Sequence, residues 1–211
     1  MKFSLKCRDC PRLAGFLDTV RQDHPDYHAR PVAPFGAANA RLLIVGLAPG
    51  MHGANRSGRP FTGDFAGILL YQTLYRFGLS TAAQSVSAND DLKLVDCRIT
   101  NAVKCLPPQN KPELAEVRQC NRYLKSELAV LARGSAVLAL GTIAHRAVLL
   151  ALDGKQARFP FRHGAHHDFP NGLRLFDSYH CSRYNTNTRR LTDVMFNEVF
   201  GGIAAFLAGK Q

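Results

Sequence analysis

No run of about eighteen apolar residues occurs in this sequence, so no segment of it reads as a membrane-spanning helix. The opening MKFSLKCRDC lacks the apolar centre of a secretory signal, which predicts an intracellular, cytoplasmic protein. Internal repeats and low-complexity tracts are also missing, which sets aside stacked-repeat architectures. Acidic residues are scarce: 16 Asp and Glu stand against 27 Lys and Arg, a formal charge of +11 and a pI of about 9.7. Such an imbalance predicts a polyanionic partner, because Lys and Arg that neutralise phosphates release counterions on binding. With 46% hydrophobic content over 211 positions, residues 1–211 are expected to form a single domain around one sizeable core.

What is present concentrates in residues 41–64, RLLIVGLAPGMHGANRSGRPFTGD. Leu42 to Val45 reads as a short buried strand that stops in a Gly-Leu-Ala-Pro-Gly turn. Its glycines, Gly46 and Gly50, permit backbone angles and a ligand approach that side chains would block, and Ala48 adds little bulk. A basic loop follows with His52, Asn55, Arg56, Arg59, Phe61 and Asp64. Open α/β sheets bind ligands in such loops, at the carboxyl ends of strands. Backbone amides, one aromatic ring, phosphate-binding charges and one carboxylate suit a base, a sugar-phosphate and a water.

Elsewhere the pattern alternates. Residues 11–23 read as a helix, 24–40 as a Pro- and Gly-broken loop, 66–77 as an amphipathic helix and 80–91 as a polar connection. A second strand spans Arg98 to Lys104, a helix 112–132 and a third strand Ala136 to Leu140. Thr142 is expected to cap a helix running to Leu152. Residues 154–171 read as an irregular His-rich stretch, Leu173 to Ser178 as a fourth strand, and 190–208 as a last helix. Strands separated by helices imply a mostly parallel sheet with helices on both faces.

The chain has six cysteines. In an intracellular protein of this size, metal or cluster ligation is a better account of them than disulfides. Cys7 and Cys10 form a C-x-x-C pair, and Cys105 and Cys120 share NAVKCLPPQNKPELAEVRQCNRYL, with Cys120 on a helix whose Glu113, Glu116 and Arg118 face water. Four thiolates suit Zn²⁺ or an iron–sulfur cluster, and composition does not choose between them. Cys97 reads as a buried thiol, and Cys181 stands outside the set.

Three segments, GLAPGMHGANRSGRPFTGD, TNAVKC and SYHCSRYNTNTRRLT, together resemble the uracil-DNA glycosylase superfamily, specifically its family 5 (type b) enzymes. The motifs occur in family order. Family 4 enzymes typically carry Gly-Glu-Ala-Pro-Gly and a nearby glutamate where this chain has Leu47 and Met51-His52. The resemblance implies a three-layer α/β/α sandwich with a central four-stranded parallel sheet. It further implies a [4Fe-4S] cluster held by Cys7, Cys10, Cys105 and Cys120. The implied activity is removal of uracil, and of other deaminated bases such as hypoxanthine, from double- or single-stranded DNA by a monomer. No lysine marks itself as a Schiff-base nucleophile, in keeping with simple hydrolysis to an abasic site.

Within that resemblance the chemistry falls on particular residues. A base must leave the stack before its glycosidic bond can be reached. Gly46, Ala48 and Phe61 are expected to receive it, with Phe61 as the stacking face. The Asn101 amide matches the uracil edge, accepting from N3–H and donating to O4. Asp64 takes the family's catalytic position, stabilising the developing sugar cation and orienting water; as a bare sequence feature it is also a good helix N-cap. His180 is expected to donate, as neutral imidazole, to the departing base. Arg56, Arg59, Arg183, Arg189 and Arg190 are candidate phosphate contacts, and Tyr184 a candidate wedge.

Two departures stand out. Cys181 replaces the family's usual proline, and Arg189 stands near its usual glycine. Zinc binding by His163, His166, His167 and Asp168 is disfavoured, because adjacent histidines in a loop lack regular ligand spacing. The rival readings are an iron–sulfur protein that binds nucleic acid without glycosylase activity, and an electron carrier. The first leaves Asp64, Asn101 and His180 unexplained; the second has no use for the basic loops.

Overall fold

The computed structural model describes residues 3–209. The expected domain span of 1–211 therefore includes four terminal positions outside the described residues. The strands are β1 (Phe35–Gly36), β2 (Leu42–Gly46), β3 (Cys97–Asn101), β4 (Ala136–Leu140), β5 (His166–Asp168) and β6 (Arg174–Ser178). Their order in one sheet is β1-β3-β2-β4-β6-β5. The four inner strands, β3, β2, β4 and β6, run parallel, whereas β1 and β5 pair antiparallel at the two edges.

Every residue of β2 and β4 is buried, as expected of parallel strands covered on both faces. Alternation splits their side chains between two cores. Leu43, Val45, Val137 and Ala139 pack on one face, beneath helices α1 (Pro11–Asp23), α4 (Leu114–Leu128) and α5 (Thr142–Ala151). Leu42, Ile44, Ala136 and Leu138 pack on the other, beneath α3 (Phe65–Arg76) and α7 (Asp193–Leu207). Two one-turn helices, α2 (Ala54–Ser57) and α6 (Arg183–Asn187), flank the carboxyl ends of the strands. The three-layer α/β/α arrangement is as expected.

The structure differs from the sequence expectation at several points. The sheet has six strands, not four, because the Pro- and Gly-broken loop and the His-rich stretch each supply a short edge strand. The second strand ends at Asn101, the last residue in register with β2, opposite Gly46. Thr142 does not cap α5: Gly141, at φ +93°, is the cap, and its N–H bonds the Ser178 carbonyl. Residues 183–187 form α6 because the Ser182 side chain accepts from the Asn185 N–H. Glu116 does not face water. It is buried, closing a capping box with Glu113 and meeting the Arg12 guanidinium at 2.7 Å.

From β2 the chain moves outward to β3 and then crosses back to β4 on the other side of β2. Gly46 therefore ends its strand at the point where connection direction reverses, where such sheets form crevices.

Candidate active site

The crevice is a cleft of about 440 Å³ lined by Ala48, Gly50, Phe61, Asp64, Asn101 and His180, with Leu47, Ala54, Phe65, Ala66, Asn110, Ser182 and Arg183 around them. Gly46 underlies it. A Cβ there would sit 2.4 Å from the Asn101 Oδ1 and 2.7 Å from the Phe61 ring, so a side chain would drive both out of place. Asn101 is buried, and its Oδ1 has no hydrogen-bond partner among the described residues. A buried acceptor left unpaired costs about 1–3 kcal/mol, a cost a ligand donor can relieve.

Phe61 holds a left-handed backbone, φ +55°, which is uncommon for a bulky residue and marks a constrained position. The constraint is visible in Gly67: a Cβ there would lie 1.9 Å from the Phe61 carbonyl oxygen, so only glycine lets α3 pass under this turn. Asp64 is the helix N-cap that its sequence position suggests, and it also faces the cleft. One of its oxygens accepts from the Gly67 N–H of α3 at 2.8 Å. Burial raises its pKa, opposed by the Gly67 bond. A poorly solvated carboxylate is a stronger partner for a nearby positive centre.

His180 follows β6 and packs near-parallel to the Phe61 ring, with centroids 5.9 Å apart. Burial alone pushes its imidazole down from 6.5 to about 4, so the ring is neutral near neutrality. Its backbone is held from both sides. The Asn185 side-chain amide donates to the His180 carbonyl at 2.8 Å, and the Tyr179 N–H donates to the His163 Nδ1 at 3.1 Å. Cys181 is fully buried in the sheet-side core, so packing fills the place of the family's proline, and burial pushes its thiol up.

Of the basic residues, Arg56, Arg183, Arg189 and Arg190 are exposed. The Arg183 guanidinium lies over the Phe65 ring at 5.0 Å and that of Arg190 over Tyr179 at 4.7 Å. Tyr184 projects from α6 with 71% of its surface exposed. Arg59 is the exception to the expected phosphate contacts. Its side chain is 7% exposed, ion-paired with Asp90, bonded to Ser85 and the Ala88 carbonyl, and stacked over Phe35. A cation so enclosed braces the loop and is not free for a phosphate. Arg189 has φ +55°, the conformation that the family's glycine would adopt without strain.

Cys7, Cys10, Cys105 and Cys120 line one cavity, walled also by Phe3, Leu13 and Tyr123. Burial raises the pKa of Cys10 to about 11, and charge on Cys120, Glu116 and Cys7 adds to the rise. Cys105 and Cys120 are pushed up too, first by burial and then by neighbouring thiols in the case of Cys105. Four thiolates that repel one another suit a shared cationic group. Zinc would draw them to about 3.8 Å apart, given a Zn–S bond of about 2.3 Å. Among the described residues, the one ligand set closing to within 4.8 Å is His145, His167 and Asp177, not the cysteines.

Sequence reasoning missed Asn110 and Ser182 on the cleft rim. Asn110 follows Gln109, both at positive φ, in the PPQN turn. An Asn after two prolines is a recognisable left-handed turn signal, but nothing in the sequence aims that turn at the cleft. The dispersed histidines behave as strand alternation requires. His166 packs on Phe176 and His167 points to the opposite face, while Asp168 binds Arg174 at 2.6 Å.

The profile of the Uracil DNA glycosylase superfamily matches residues 33–203. The Type-5 uracil-DNA glycosylase of Thermus thermophilus is 47% identical over 199 residues, covering 92% of this chain and 90% of that protein. The Type-5 uracil-DNA glycosylase of Pyrobaculum aerophilum is 44% identical over 207 residues, covering 95% and 89%. A Type-4 uracil-DNA glycosylase of the same organism is 36% identical over 132 residues, covering 62% and 59%.

Proposed function

The chain belongs to the uracil DNA glycosylase superfamily, with its strong relatives in the type-5 branch, and from that membership we propose that it is a DNA-repair glycosylase that hydrolyses uracil from DNA. In this reading the target nucleotide rotates into the cleft, and Phe61 and Ala48 close around the base. The unpaired Asn101 oxygen takes N3–H, and its NH₂ group meets O4. Cytosine presents the opposite pattern there and would leave buried groups unpaired.

Bond breaking puts positive charge on the sugar and negative charge on the departing base. Asp64 stabilises the first and orients the attacking water, while neutral His180 donates to the base oxygen. A neutral imidazole is a better-matched donor here than a charged one, since a cation so desolvated would readily give its proton to solvent. No lysine takes part, so the product is an abasic site. Hypoxanthine fits the same cleft, in a substrate range of deaminated bases in double- or single-stranded DNA. Arg56, Arg183, Arg189 and Arg190 contact phosphates, and Tyr184 fills the gap in the stack. The protein acts as a monomer.

Cys7, Cys10, Cys105 and Cys120 hold a [4Fe-4S] cluster, supported by their shared cavity. Bound there, the cluster supplies a covalent clamp between the N-terminal segment and α4. The single observation that carries the functional reading is the convergence of a desolvated carboxylate, a neutral imidazole and an unpaired amide on one cleft.

The test is single-turnover base release from duplexes carrying uracil opposite guanine, uracil opposite adenine, hypoxanthine or thymine. Alkali-dependent strand breakage at uracil and hypoxanthine, with none at thymine, is the expected result. Tight duplex binding without abasic product, in protein with an intact cluster spectrum, would replace this reading with a non-catalytic iron–sulfur binder.

A further inference from the structure

Three residues before His180, β6 buries Asp177 completely. Its carboxylate meets two imidazoles delivered by different elements: the His145 Nδ1 from α5 at 2.7 Å, and the His167 Nε2 from β5 at 3.4 Å. One ligand atom from each residue lies within 4.8 Å of the other two. Among the described residues, neither the Asp177 Oδ2 nor the His167 Nε2 has a hydrogen-bond partner. A fully buried carboxylate oxygen left bare is costly and calls for a cation.

The other face of His145 bears on which cation. Its Nε2 lies 2.9 Å from the Phe159 carbonyl oxygen, which can only accept, so Nε2 carries the hydrogen. Nδ1, turned to the Asp177 Oδ1 at 2.7 Å, is then the position that either a second proton or a metal ion fills. Metal-binding histidines have this arrangement: one nitrogen is held by a carbonyl and the other is turned to the ion.

We propose that His145, His167 and Asp177 bind one divalent transition-metal ion of the zinc class. Two imidazoles and a carboxylate are the donors such ions prefer, at about 2.0–2.2 Å in a tetrahedron whose ligand atoms lie about 3.3 Å apart. The contact of the His167 Nε2 with the Asp177 Oδ2, 3.4 Å, already has that spacing; the His145 Nδ1 lies 2.7 Å from the other oxygen, Oδ1, and turns from it to the ion. His167 is the least buried ligand, 12% exposed, and gives the fourth position to water. Phe159 and Phe161 ring the imidazoles and keep other solvent away. The ion would pin the three-residue edge strand β5 to α5 and β6. None of the three ligands lines the proposed base cleft or the cysteine cavity.

The experiment is equilibrium dialysis of cluster-loaded protein against zinc chloride with metal analysis, repeated with cobalt(II) chloride as a coloured stand-in. Wild type should take up one equivalent, with tetrahedral cobalt bands free of thiolate charge transfer, and its Tm should rise with zinc. His167→Gln, altered at the least buried ligand, should fold, bind more than about tenfold more weakly and lose the Tm rise. Asp177→Asn should lose binding as well. Zinc uptake equal in wild type and His167→Gln, thiolate charge-transfer bands, or no uptake at all would overturn the site and leave a proton between His145 and Asp177.

Discussion

The cleft at the strand ends and the cysteine cavity grow from the same sheet, yet their polar groups are arranged differently. In the cleft, Asn101 keeps a bare oxygen and the His180 side chain has no hydrogen-bond partner among the described residues, while Phe61 sits in a disfavoured backbone well. Around the cysteines the charged neighbours are matched in ion pairs, although the Arg122 Nε and Glu127 Oε2 atoms are buried without a hydrogen-bond partner among the described residues. Lys104 is buried against Glu127 at 2.8 Å while its N–H donates to the Cys120 sulfur, Arg12 meets Glu116, and Arg122 meets Asp9. On the proposed function, the bare groups of the cleft await a base that comes and goes, whereas ion pairs brace the cysteine cavity for a group that stays. The difference predicts that damage to the first will appear in rate and damage to the second in stability.

The sharpest separation should come from Asp64→Asn. Asparagine caps helices as well as aspartate does, so Gly67 keeps its partner and Tm should barely move. Loss of the charge should slow single-turnover base release by roughly 10²–10⁴-fold. A rate near wild type would break the comparison at its catalytic end. Cys105→Ser should do the reverse, bleaching the cluster absorbance and lowering stability by about several kcal/mol, with base release per folded molecule nearly unchanged.

A smaller effect is expected in acid. The His180 pKa falls from 6.5 to about 4 on folding, so the unfolded chain binds this proton more readily. The group's contribution is therefore full above 6.5, declines as pH falls below it, and levels off under about 4. Base release should be flat across 6.5 and fall only further into acid, where His180 and Asp64 both protonate. An inflection at 6.5 that disappears in His180→Asn would show the imidazole to be solvated instead. The smallest effect is at Arg189, where φ is +55°. Arg189→Gly should raise stability by about 1 kcal/mol and reduce the salt dependence of DNA binding by about one phosphate contact.

The parallel strands were legible from local signals, whereas Asn101, Asp64 and His180 were legible as a set only through the family motifs that carry them. Leu42–Val45 is an uninterrupted apolar run, and Asp64 precedes a helix it can cap. The edge strands were not: Phe35–Gly36 and His166–Asp168 are held by pairing with β3 and β6, and no periodicity of their own announces them. Glu116 and Arg59 were misplaced for one reason. Charge predicts exposure until a partner distant in sequence is found, Arg12 in one case and Asp90 in the other. The same holds for Asp177, which the sequence offers only as a strand residue and the fold surrounds with two imidazoles.

The enclosure of Arg59 bears on how this protein can diverge. Residues 80–91 are polar and small, the kind of connection in which insertions are ordinarily accepted. Here Ser85, Ala88 and Asp90 grip the arginine that stands five positions before Asp64. Changes in that connection should therefore disturb the turn that carries Asp64, so randomised libraries should find it as intolerant as the core, and homologous loops should not be exchangeable without the arginine that fits them.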